Sequence, residues 1–171
     1  MSRHRPFRIH TAFHEAAHAV SVIRFEEHAK LVEVSLDNPS TGRHGRTRVS
    51  RTLYADDRGK NAEENRLRVA RSILTALLGP MMDPDPVYES WPPSWEGAYF
   101  EDREDLRDAM FESRITPPAY ERLVETARGI AADPAYVRDV TTVASELFKR
   151  KILSGEEVEA LLRSPTKGPR C

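Results

Sequence analysis

Apolar residues recur at steps of three and four from Thr11 onward, with Phe13, Ala16, Ala17, Val20 and Ile23 on one stripe that runs to about Glu27. The spacing predicts a first helix, capped by Thr11 and apolar enough to be buried. Leu31 to Asp37 and Thr47 to Leu53 then lean to β structure and are parted by Asn38, Pro39, Gly42 and Gly45, which predicts a hairpin. A second helical stripe, made of Leu67, Ala70, Ile73, Leu74, Leu77 and Leu78, stops at Gly79 and Pro80 as helices commonly do, and should pack on the first helix. Beyond Phe100, further helical stretches are expected at about 101–113, 117–131, 134–151 and 155–163, broken by "TPP", "DP" and "LSG". Ser154 and Glu157 spell an S-x-x-E capping box at the start of the last one.

The pattern is that of a mainly α chain of the α+β class with one small hairpin. It divides into a flexible N-terminal segment at 1–10, a single domain at 11–163 and a flexible tail at 164–171. Between Pro80 and Gly97 the concentration of prolines with Tyr88, Trp91 and Trp95 predicts an irregular, rigid loop. The two tryptophans read first as cover for the core and second as the wall of a cleft, because aromatic side chains mostly serve packing.

Composition narrows the chemistry by exclusion. A chain of 171 residues at 39% hydrophobic can bury one core, and 26 Lys and Arg against 27 Asp and Glu give no reason to expect nucleic acid or an anionic membrane as partner. The single cysteine is Cys171, which excludes an internal disulfide and a cysteine zinc cluster and suits a reducing compartment. No window approaches the roughly 18 apolar residues of a membrane span, and the basic N-terminus lacks a signal-peptide core, so a soluble cytoplasmic protein is expected. "RGKN" lacks the upstream glycine and the Ser or Thr of a phosphate loop, so ATP binding is not indicated.

The chemistry sits in the first helix, where His14, Glu15 and His18 form H-E-x-x-H. On a helix, positions four apart stand on one face, so both imidazoles can address one ion, while the glutamate between them lies beside the open coordination position and can move a proton. Shuffling this composition would yield the pattern in roughly one chain in fifty, so context must decide. The context is an apolar helix, where two imidazoles and a carboxylate are costly to bury without an ion or hydrogen bonds. A catalytic zinc needs a third protein ligand. His28, His44 and the acidic run Glu101 to Asp108 are the candidates, and spacing alone does not choose among them.

"FHEAAHAV" resembles the zinc helix of the FtsH-type metalloproteases, the peptidase domain attached to a membrane-bound AAA ATPase. "LVEVSLD" with "GRTRVS" is similar to that family's strand pair, and "ILTALLGPMMD" to its following helix. "REDLRDAM" resembles the helix that brings the third ligand, and "VASELFKRKILSGEEVEALL" the closing segment. The order holds over roughly positions 10 to 163. The resemblance implies a zincin-like helical domain with Zn2+ on His14, His18 and Asp105, and Glu15 as general base. Departures are Ala17 in place of the motif's glycine, and an altered spacing after Gly97 and Ala98 that keeps Glu101 and Asp102 open as substitutes for Asp105. It further implies a zinc metalloendopeptidase acting on peptides or unfolded protein, with a separate ATPase or further copies of the chain in a homo-oligomer as its partners. The alternative is a zinc-binding regulatory protein of the same fold without useful proteolysis, against which the retention of Glu15 argues.

Overall fold

The computed structural model describes residues 5–26, 29–37, 44–51, 62–82 and 115–163, and of residues 5–8, 37, 44, 51 and 62–66 the backbone alone. The elements are α1 (Arg5–Phe25), β1 (Ala29–Asp37), β2 (His44–Arg51), α2 (Ala62–Met81), α3 (Pro117–Ala132), α4 (Pro134–Arg150), β3 (Ile152–Ser154) and α5 (Gly155–Arg163). This is the expected mainly helical α+β arrangement. The expected helix at 101–113, the tryptophan-proline loop and the tail at 164–171 lie outside the described residues.

Helix α1 is the axis of the fold. Ala12, Ala16, Ala17, Ala19, Val20, Ser21 and Val22 are all buried, because α1 packs against α2, α4, β1 and β2 at once. Small side chains on several faces let those neighbours approach closely, and a helix covered on several sides need not show one narrow apolar stripe. The buried Ser21 of α1 is hydrogen-bonded. Ser21 donates to the Tyr136 hydroxyl at 2.8 Å, and that hydroxyl donates to the Ala17 carbonyl at 3.1 Å, tying α1 to α4. Thr11 does not cap α1, which begins at Arg5, so residues 5–10 are helical rather than a segment apart from the helix. Thr11 is buried inside it, and burial against the rest of the fold overrides its capping preference.

The sheet has the order β2-β1-β3, so β1 is central and the hairpin foreseen in the sequence is extended by a third strand. β1 and β2 pair antiparallel with Leu31 opposite Val49 and Glu33 opposite Arg48, leaving Val32 as the extra residue of a bulge. β3 occupies residues read from the sequence as a break between helices. Lys151 caps α4 in the left-handed region at φ 71°, its carbonyl accepts from the Leu36 N–H at 2.8 Å, and the chain is thereby laid along β1. Asp133 ends α3 and caps α4 by accepting from the N–H groups of Ala135 and Tyr136.

The capping box at α5 forms as expected. The Ser154 N–H donates to Glu157 at 2.8 Å and the Glu157 N–H to the Ser154 hydroxyl at 3.3 Å. With the Arg150 guanidinium also on it, the Glu157 carboxyl is held down to about 2. Among the described residues, no helix is long and apolar enough to cross a membrane.

Candidate metal centre on helix α1

His14 and His18 lie one turn apart with their Nε2 atoms 3.1 Å from each other, the rings meeting edge to face. The tautomer of His18 follows from its other nitrogen. Nδ1 lies 2.9 Å from the Thr75 carbonyl on α2, and a carbonyl only accepts, so Nδ1 carries the hydrogen and Nε2 presents a lone pair. Burial lowers the pKa of both rings. His14 is brought to about 3 by burial and by its neighbour His18, and His18 is lowered by burial although the Thr75 carbonyl works against it. Two neutral imidazoles therefore share one spot.

The pair fits a zinc ion. At the usual Zn–N length of about 2.0–2.1 Å, a 3.1 Å separation of the nitrogens subtends about 98°, near the tetrahedral angle. A neutral imidazole whose second nitrogen is fixed by a backbone carbonyl is the normal form of a zinc-binding histidine.

Glu15 stands between the two histidines in sequence and is 8% exposed. Thr47, reaching across from β2, places its hydroxyl 2.8 Å from Glu15 Oε2 and 3.2 Å from the Glu15 carbonyl, so one hydrogen serves a carboxylate and a backbone oxygen. Burial pushes the Glu15 carboxyl up to about 7, with the Thr47 bond acting in the opposite direction. A carboxyl poised near neutrality is suited to accept and return a proton.

Two glycines shape the space. Gly45 on β2 has φ +97°, and a methyl group there would come within 2.6 Å of both Glu15 Oε1 and the Thr11 methyl, so the backbone strand lies directly on the carboxylate. Gly79 on α2 leaves room for the His18 ring, which a methyl group would overlap. Gly79 and Pro80 were expected to end α2, yet the helix continues through both to Met81. The physical reason is the close approach to His18. Gly79 serves there by lacking a side chain, and Pro80 falls so near the helix end that only the final turn loses a donor.

His14 and His18 are thus brought together, while the contacts of the Glu15 carboxyl are with Thr47 and Gly45 of β2. Among the described residues, no group of three or more His, Cys, Asp or Glu is arranged to hold a metal ion, so the imidazole pair has no third ligand there. Asp105, Glu101, Asp102 and His28 lie outside the described residues, and of His44 the backbone alone is described, paired with Asp37. Thr47, Gly45, Thr75 and Gly79 were not singled out as site residues from the sequence. The signal was faint: a glycine at the start of a strand, and a glycine in an otherwise well-formed helix. No protein-family model matches the chain, and no curated protein matches it in sequence.

Proposed function

We propose that this chain is a zinc-dependent metallopeptidase with a zincin-like fold of the FtsH-type kind, hydrolysing peptide bonds in peptides or unfolded segments. The observation that carries the reading is the pair of imidazole nitrogens 3.1 Å apart on the helix that also buries the Glu15 carboxyl. A structural zinc would need ligands but no such neighbouring base. His14 and His18 would hold the ion, with Asp105 as the third ligand. When bound, zinc supplies Lewis-acid chemistry, activating water and polarising the scissile carbonyl.

The chain's own residues do the rest. Glu15 takes a proton from the attacking water and returns it to the leaving amine, as a buried carboxyl acting as general base and then general acid does. The Thr47 hydroxyl fixes one carboxylate oxygen, Oε2, and so sets the orientation of the carboxyl. The Thr75 carbonyl keeps the His18 ring in the tautomer and orientation that ligation requires. The side of β2 that pairs with no strand among the described residues would offer an extended substrate a strand to pair with, holding its backbone irrespective of side chains.

Cleavage of unfolded casein by the zinc-loaded chain and by Glu15→Gln tests the reading. Loss of a general base lowers the rate by about 10²- to 10⁴-fold with zinc content unchanged. A metal-replete wild type that cuts nothing, or a Gln variant that is as active, rejects the peptidase.

A further inference from the structure

The strand that lies on Glu15 carries a second pattern on its other face. Along β2, Gly45, Thr47 and Val49 are half-buried and alternate with Arg46, Arg48 and Ser50, which are exposed. Thr47 faces the site. The arginines therefore face away from α1, on the outer surface of the same strand. β2 pairs with β1 on one side and, among the described residues, with no strand on the other. The two cations differ in how far the sheet already matches them. Arg48 stands opposite Glu33 and reaches its carboxylate at 3.7 Å, with about half of the arginine side chain still exposed. Arg46 stands opposite Ser35 and has no carboxylate partner among the described residues.

An extended peptide added to β2 as its next strand would place alternate side chains on that outer surface, directly across from Arg46 and Arg48. Cross-strand neighbours of opposite charge attract, and an arginine fork matches a carboxylate in particular. We propose that β2 receives an acidic peptide segment, with Asp or Glu at two positions one residue apart, and that Arg46 and Arg48 thereby select carboxylate-rich sequences beside the bond offered to Glu15. This rests on the peptidase reading and names its substrate class. Arg46 is the stronger determinant, because Arg48 is partly matched by Glu33. The competing role for edge arginines is to keep the strand from pairing with another copy of itself, which would give them no preference among peptides.

The test uses the full chain and three labelled peptides of one extended sequence, differing only in Glu, Gln or Lys at two alternating positions. Binding is followed by fluorescence anisotropy on zinc-loaded Glu15→Gln, and cleavage on the wild type. The Glu peptide is expected to bind about 2- to 30-fold more tightly than the Gln peptide at low salt, the range for two cross-strand ion pairs. The advantage should shrink as salt rises. Arg46→Glu alone, and Arg46→Glu with Arg48→Glu, should turn the preference toward the Lys peptide. Equal affinity for the Glu and Gln peptides, an order unmoved by Arg46→Glu, or no binding of any peptide overturns the proposal. Cleavage without charge preference rejects it while sparing the peptidase. Arginine-dependent acidic binding without cleavage does the reverse.

Discussion

Helix α2 and strand β2 both close on the H-E-x-x-H stretch of α1, but they do so with different chemistry. α2 meets His18 with backbone: the Thr75 carbonyl accepts from Nδ1, and Gly79 has no side chain to obstruct the ring. β2 meets Glu15 with a side-chain hydroxyl from Thr47 and with the close backbone of Gly45. In the proposed peptidase, one wall would orient a metal ligand and the other a base. The two tasks of the site should therefore separate under mutation, and their titrations should change stability with pH in opposite directions.

The largest effect is expected in the metal-stripped protein as the pH is lowered. His14 and His18 are depressed below the ordinary 6.5, His14 to about 3, so the unfolded chain takes up their protons first and stability falls as the pH drops from 6.5 toward 3. Glu15 is raised from 4.5 to about 7, so the fold takes up its proton first; that contribution is full below 4.5 and is lost as the pH rises through 7. Between 7 and 4.5 the glutamate opposes the histidines, and below 4.5 it no longer does. Thermal melts of metal-stripped wild type and Glu15→Gln across this range should show a steeper decline for the variant between pH 7 and 4.5. Parallel curves would contradict the opposed titrations.

Next in size is the α2 wall. Gly79→Ala puts a methyl group onto the His18 ring and should weaken zinc binding toward the upper end of the 10- to 100-fold range seen when supporting groups of a metal site are disturbed. Competition with a chromogenic chelator measures it, and circular dichroism of the metal-free form checks that the helix persists. Unchanged affinity would mean that His18 is not held against α2 as described.

The β2 wall should give the smaller and complementary result. Thr47→Val removes the only side-chain donor described on Glu15 and should lower peptide turnover by about 10-fold, with zinc affinity unaltered. Thr47→Ser should restore it. Steady-state kinetics should show the loss in kcat rather than KM, because the hydroxyl orients the base and touches no substrate. If zinc affinity falls with Thr47→Val, the two walls are not independent.

The same comparison shows what a sequence discloses. The pairing of His14 with His18 was legible because a helix turns their spacing into proximity without help from the rest of the chain. Helices α3 to α5 and the Ser154–Glu157 box were legible for the same reason, since periodicity and caps are local. The walls were not. Thr47 meets Glu15 across 32 residues and Thr75 meets His18 across 57, and neither contact leaves a periodic mark. β3 is three residues long and exists by pairing with β1, too short for its alternation to stand out in the sequence. Gly79 looked like a stop because glycine after an apolar stripe usually is one, but here the missing side chain serves a neighbour in space.

Zinc stoichiometry of the purified chain, by mass spectrometry of the metal, tests the central claim most directly, with His18→Gln alongside. One tightly held zinc per chain, lost in the variant while its helical content persists, is the predicted result. A chain that binds no zinc, or that binds it equally well without His18, would contradict the account.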